Sequence, residues 1–204
     1  MTPEQANVDK YKSQGYTILE NVVPESTISA IKDSSLMLKA YTTAKSGETS
    51  PYGSPVYWEA LEMASKYDDS LYDFYTSDLM KEIVTTYLSK TPYLYNDQLV
   101  IKAPCEFFSF EEHFDNQYND RNVTTMNASV ILDDQNKHNG HLWVQDALYK
   151  VWIPLYPKAG DIVLIDGDTY HASGDNLTQS ARGLYACTYA SECMNNPRYY
   201  TESF

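Results

Sequence analysis

The sequence predicts an α+β protein with a mostly β core: a β-sandwich or barrel buttressed by N-terminal helices. Three observations carry this. Residues 1–90 read mostly as helices, with apolar residues at helical spacing. From Tyr93 the pattern changes to short runs rich in Val, Ile, Tyr and Trp, separated by turn signals. No repeat, low-complexity tract or linker separates the two regions, and the helices need a sheet to bury their apolar stripes. The 204 residues are therefore read as one domain, 1–204, with the helices in residues 1–90 and the β core in residues 91–204.

The elements follow in order. Thr2-Pro3-Glu4-Gln5 opens a first helix, with Thr as cap and Pro at the first position; it runs to Gln14 and stops at Gly15. Tyr16–Leu19 reads as a strand. Pro24-Glu25 starts a second helix to Ala44, residues 46–55 form a loop, and helical patterns resume at Val56–Lys66, Asp69–Thr76 and Ser77–Leu88, with Ser77 as a cap. Strands are expected at Tyr93–Ala103, Glu106–Phe110, Thr124–Leu132, His141–Gln145, Lys150–Pro154, Asp161–Ile165, Tyr170–Ala172 and Arg182–Ala190. The turns Asn139-Gly140, Ala159-Gly160-Asp161 and Asp166-Gly167-Asp168 separate them.

Composition narrows the partners. With 28 acidic against 15 basic residues the net charge is −13, which disfavours nucleic acid and anionic lipid and leaves a small-molecule partner. Cys105, Cys187 and Cys193 form no CxxC and are odd in number, which fits a reducing compartment. The N-terminus is polar, without a basic stretch and apolar run, and no segment approaches membrane-spanning length, so a cytoplasmic location is expected. The sequons at Asn122, Asn127 and Asn176 carry no meaning there. Most of the 19 tyrosines are expected in packing.

The chemistry centres on Glu111-Glu112-His113-Phe114-Asp115. His113 and Asp115, two apart, would share one face of a strand. His171, ending a neighbouring strand, is the candidate third ligand. Two histidines and one carboxylate with open positions form the arrangement of non-haem Fe(II) oxygenases. A 2-oxo acid can fill two of the open positions and dioxygen the third. Its far carboxylate then needs a fixed cation, and Arg182, on the strand after His171, supplies a guanidinium. Ser173 shares the face of His171 and can add a hydroxyl. His138 and His141 flank a turn and are the rival ligands; Asp133 and Asp134 are read as turn-entry residues. Tyr95, Phe108, Tyr118, Trp143 and Tyr170 are candidate pocket walls, and Lys102 a candidate anion contact.

Taken together, the sequence resembles the phytanoyl-CoA dioxygenase-like family of Fe(II)/2-oxoglutarate oxygenases. The likeness runs in order through Gly15–Pro24, Gln98–Pro104, His113-Phe114-Asp115, Leu132-Asp133-Asp134, Asn139–Val144, Ala159–Ile165, His171–Asn176 and Arg182. It implies a double-stranded β-helix (a cupin-like jelly roll), Fe(II) at His113, Asp115 and His171, and 2-oxoglutarate held by Arg182 with support from Ser173 and Gln98. Asn127 and Ser129 are weaker candidates of the same kind. The implied activity is a dioxygenase that uses O2 to hydroxylate a C–H bond of a small metabolite, releasing succinate and CO2. Asp115 favours hydroxylation, since related halogenases lack that carboxylate. The family's Pro-Gly-Ser-His segment is replaced here by Val144–Tyr149, so the substrate does not transfer. A metal-binding protein or isomerase of the same fold that does not use 2-oxoglutarate stands as the alternative.

Overall fold

The computed structural model describes residues 3–51, 56–57, 60–118, 123–193 and 200. Helix α1 (Pro3–Gln14) ends at Gly15, whose amide closes the last turn on the Tyr11 carbonyl. Gly15 has φ +82°, and a Cβ there would lie 2.1 Å from Thr169 Oγ1, so both backbone and space demand glycine. The anticipated cap Thr2 lies outside the described residues. Strand β1 (Tyr16–Leu19) follows, then α2 (Glu25–Lys45). Asp68 and Ser77 accept from backbone amides at the starts of α3 (Asp69–Tyr75) and α4 (Asp78–Leu88).

The span Val56–Lys66 is not a helix. It holds strand β2 (Ala60–Glu62) and a 3-10 turn, Ala64–Lys66, with residues 58–59 outside the described set. Local propensity loses here to tertiary pairing: Ala60–Glu62 completes the edge of β3 (Tyr93–Lys102), and the Asp97 carboxylate takes the amide and hydroxyl of Ser65 at 2.7 Å each. The remaining strands are β4 (Phe110–His113), β5 (Thr125–Ile131), β6 (Leu142–Gln145), β7 (Trp152–Pro154), β8 (Ile162–Asp166), β9 (His171–Ser173) and β10 (Arg182–Ala190). The strand expected at Glu106–Phe110 is displaced toward β4. Glu106 instead turns its carboxylate onto the Ala103 amide at 2.6 Å and bridges Asn176 through its backbone.

All pairings are antiparallel. The larger sheet runs β1-β8-β5-β10-β3-β2 and the smaller β4-β9-β6-β7. The two sheets face one another as a double-stranded β-helix, and Val100, Ile131, Leu142, Val144, Val163 and Leu184 pack between them. The helices cover the outer face of the larger sheet, where Ile31, Leu71, Met80 and Val84 meet Leu99, Met126, Ala128, Leu164 and Tyr185. This explains why every residue of β10 is buried: even numbers from Arg182 face the smaller sheet, and odd numbers from Gly183 face the helices. Among the described residues no helix is long and apolar enough to cross a membrane.

Candidate functional site

The site lies between the sheets, in a cavity of about 60 Å³. Its floor is built by strand alternation on the larger sheet. Gln98, Ala186, Ser129 and Val163 lie in one register row, and Val100 with Leu184, and Asn127 with Thr188, in the rows beside it. Gln98, Ser129 and Asn127 are the polar members that reach the cavity; Val100, Leu184, Ala186 and Ile165 line it with apolar surface.

The opposite wall depends on a β-bulge. Phe110 pairs with Ser173 and His113 with His171, so three steps on β4 match two on β9. Phe110 and His113 therefore both line the cavity, while Glu111 and Glu112 are both exposed. Strand β4 ends at His113. Asp115 does not continue it, as the two-residue spacing suggested, but opens a 3-10 turn, Asp115–Tyr118. Asn116, 2% exposed, holds that turn: its amide donates to Gly167 O at 2.9 Å, its side-chain NH2 to Asp168 at 3.0 Å, and its Oδ1 accepts from Thr125 Oγ1 at 2.6 Å. Nothing in the sequence singled out Asn116; the buried polar network is visible only in three dimensions.

The three expected ligands meet. One ligand atom from each of His113, Asp115 and His171 lies within 4.8 Å of the others, and His171 Nε2 is 3.6 Å from Asp115 Oδ1. The imidazole rings stand 4.3 Å apart, inclined at 55°. Each histidine turns Nδ1 onto the carbonyl two residues earlier, His113 onto Glu111 at 2.8 Å and His171 onto Thr169 at 3.0 Å. A carbonyl can only accept, so Nδ1 carries the proton and Nε2 presents a lone pair. Burial, then the neighbouring His171, push the His113 imidazole toward its neutral form. Two imidazole lone pairs and a carboxylate oxygen converging without a donor between them fit a cation, and two histidines with one carboxylate suit non-haem iron.

Arg182 lines the same cavity, fully buried. The sequence suggested a strand beside that of His171, but the two residues lie on opposite sheets. β9 pairs with β4 and β6, and the chain then crosses to the larger sheet through residues 174–181. Asn176 pins this crossing by donating to the carbonyls of Lys102, Ala103 and Ser180 and accepting from Thr178. The guanidinium donates through Nη2 to the Gly140 carbonyl, while Nε and Nη1 have no partner among the described residues. Burial lowers its pKa to about 10, against a raising influence from Asp133. An enclosed cation with unused donors fits a carboxylate.

Other candidates fall elsewhere. Ser173 and Gln98 line the cavity. Lys102 is buried and braces the fold, donating to the carbonyls of Phe108 at 2.8 Å and Gly174. Among the described residues His138 and His141 join no ligand cluster; His141 stacks between Trp143 and Tyr156. Asp133 takes the Gly183 amide and Lys32, and Asp134 takes the Ala159 amide and Lys158, so both fasten turns as expected. Of the proposed walls, Tyr95 packs with Val123 and Ala190, Phe108 meets Phe110 edge to face, Tyr170 packs on Phe114, and Trp143 lines an open groove that adjoins the cavity through Phe110, Ala172 and Ser173. The Tyr118 side chain lies outside the described residues. Phe110 and Leu142 line the cavity instead; taking Trp143 as a wall puts its neighbour Leu142 on the other face of the strand, and the bulge hides Phe110.

None of the curated proteins matches the chain in sequence. The family model "Phytanoyl-CoA dioxygenase (PhyH)" matches residues 146–184. Similar solved structures include the non-heme alpha ketoglutarate dependent epimerase SnoN from nogalamycin biosynthesis, with TM-score 0.81 and 14% identity over 95% of this chain and 84% of that one. EctD from S. alaskensis, with 2-oxoglutarate and 5-hydroxyectoine, has TM-score 0.78 and 16% identity over 97% and 79%. AviO1 from Streptomyces viridochromogenes Tue57 has TM-score 0.78 and 19% identity over 96% and 98%. The matched segment is similar to the phytanoyl-CoA dioxygenase family, and the solved structures share the double-stranded β-helix fold of this chain.

Proposed function

We propose that this chain is a single-domain Fe(II)- and 2-oxoglutarate-dependent dioxygenase that hydroxylates a C–H bond of a small molecule. The observation that carries the reading is the pairing of two features across one cavity. His113, Asp115 and His171 present ligand atoms within 4.8 Å of one another, and the buried Arg182 offers two unpartnered N–H donors. EctD has been solved with 2-oxoglutarate, and SnoN with Fe3+ and alpha ketoglutarate, in the same fold.

His113 and His171 would hold the metal through Nε2 and Asp115 through its carboxylate. Bound Fe(II), with 2-oxoglutarate and O2, would supply the oxidising power for C–H cleavage, with succinate and CO2 as coproducts. Arg182 receives the far carboxylate of 2-oxoglutarate, with Ser173 and Gln98 beside it. Val100, Ile165, Leu142 and Leu184 give the cavity apolar walls, which strengthens each charged contact there. The net charge of −13 and the small cavity favour a small polar metabolite over nucleic acid or a membrane, and the cysteine usage a cytoplasmic location.

An anaerobic titration tests the reading. Adding 2-oxoglutarate to the Fe(II)-loaded protein should give a visible charge-transfer band, and admitting air should release succinate. Iron binding without a band on adding 2-oxoglutarate would refute it and favour a metal protein of this fold that does not use the cosubstrate. Because SnoN is an epimerase and SnoK a carbocyclase, succinate is scored first, and the hydroxylated product once a metabolite panel finds a substrate.

A further inference from the structure

We infer that Asn127 is a positioning residue that ties up one oxygen of the Asp115 carboxylate and thereby keeps a metal position open for cosubstrate. The inference rests on the reading of His113, Asp115 and His171 as metal ligands. Asn127 lies on β5, facing the cavity, with Ile165 and Thr188 as its register partners. Its Nδ2 donates to Asp115 Oδ2 at 3.4 Å, and its Oδ1 accepts from Ser129 Oγ at 2.9 Å. The other carboxylate oxygen, Oδ1, is the one 3.6 Å from His171 Nε2.

The amide orientation is fixed from both ends. A carboxylate can only accept, so it must face the NH2 of Asn127. The amide oxygen then faces Ser129, 4% exposed, whose hydroxyl supplies the proton. Ser129 to Asn127 to Asp115 is thus a one-way chain of donors ending on Oδ2. Asn116 fixes the backbone of the turn, and Asn127 fixes which oxygen turns toward the histidines.

A carboxylate can bind a metal through one oxygen or two. Chelation through both would occupy a position that a two-oxygen ligand such as 2-oxoglutarate needs. The N–H of Asn127 makes Oδ2 the less available oxygen. Removing it leaves all three ligands in place, so metal affinity should stay within about threefold. It also frees Oδ2 to compete for the position 2-oxoglutarate needs, which should weaken 2-oxoglutarate by about 10–100-fold, the size of one hydrogen bond to a charged group.

The experiment measures two affinities anaerobically: Co(II), followed by its visible spectrum, and then 2-oxoglutarate on the Co(II)-loaded protein. Asn127→Ala and Asn127→Leu are compared with wild type; Asn127→Leu keeps most of the volume but has no N–H to give and adds no charge. Both should show a changed Co(II) spectrum, near-wild-type Co(II) affinity and weakened 2-oxoglutarate. Ser129→Ala, which keeps the amide but frees its orientation, should show a smaller loss of about threefold in the same direction, the low end for one neutral hydrogen bond. Wild-type spectra and affinities in the Asn127 variants would overturn the inference and leave the enzyme assignment standing. Equal loss of both affinities would reduce Asn127 to a structural role and overturn it too. Wild-type protein that binds no Co(II) would overturn the ligand reading itself.

Discussion

Replacing Arg182 by Met should do two opposite things. Arg182 is fully buried, with one donor on the Gly140 carbonyl and two nitrogens without a partner among the described residues. Burial lowers its pKa to about 10 from the ordinary guanidinium value, which corresponds to ~3 kcal/mol of destabilisation in the ligand-free protein. The sign is that of a buried base: the cost is present below the folded-state value and relieved only above about pH 10. Met removes that cost but strands the Gly140 carbonyl, a loss of ~1 kcal/mol. The ligand-free variant should therefore gain ~2 kcal/mol, or about 4–8 °C in Tm for a domain this size. In the proposed complex Arg182 makes two charge-assisted hydrogen bonds of ~1.5–3 kcal/mol each, so 2-oxoglutarate affinity should fall by about 10²–10⁴-fold. Thermal melts of the Mn(II)-loaded protein, with and without 2-oxoglutarate, read both effects. A variant that melts lower without ligand, or keeps the wild-type shift with it, would refute the reasoning.

Three further perturbations follow from the same geometry. His171→Ala should weaken Fe(II) binding by at least about 100-fold, measured by equilibrium dialysis, since it removes a ligand rather than a group that orients one. Gly167→Ala would place a Cβ 2.0 Å from Thr125 Oγ1 and 2.9 Å from the Asn116 side chain. It should cost ~1–3 kcal/mol in urea unfolding and weaken metal binding with it, because Asn116 holds the turn that starts at Asp115. Asp97, buried behind the larger sheet, is pushed up to about 6. With the folded value raised above the ordinary 3.8, its contribution to stability is complete at low pH and lost as pH rises through about 6. Asp97→Asn, whose NH2 can face the Ser65 hydroxyl, should remove up to ~3 kcal/mol of the fall in unfolding free energy between about pH 4 and pH 7. Urea titrations at the two ends measure it.

Local chemistry along the chain decided much of this protein. The cap at Ser77, the stop at Gly15 and the strand Arg182–Ala190 follow from capping, left-handed backbone and β-branched or aromatic runs, and all three stand in the structure. The residue types His, Asp, His and Arg, in that order, pointed to the candidate site, and the structure brings the first three together and sets Arg182 on the same cavity. Tertiary structure decided the rest. Residues 60–62 became a strand because the edge of β3 needed a partner, a fact no local pattern carries. The bulge in β4 put Phe110 and His113 on one side together, where a regular strand would have parted them. The sheet order placed Arg182 across the cavity from His171 rather than beside it, since register and sheet membership depend on pairings between distant segments. Asn116 looks like any other asparagine in sequence, and Asn127 stood there only as a weaker cosubstrate candidate; their contacts to Thr125, Asp168, Ser129 and Asp115 appear only in three dimensions.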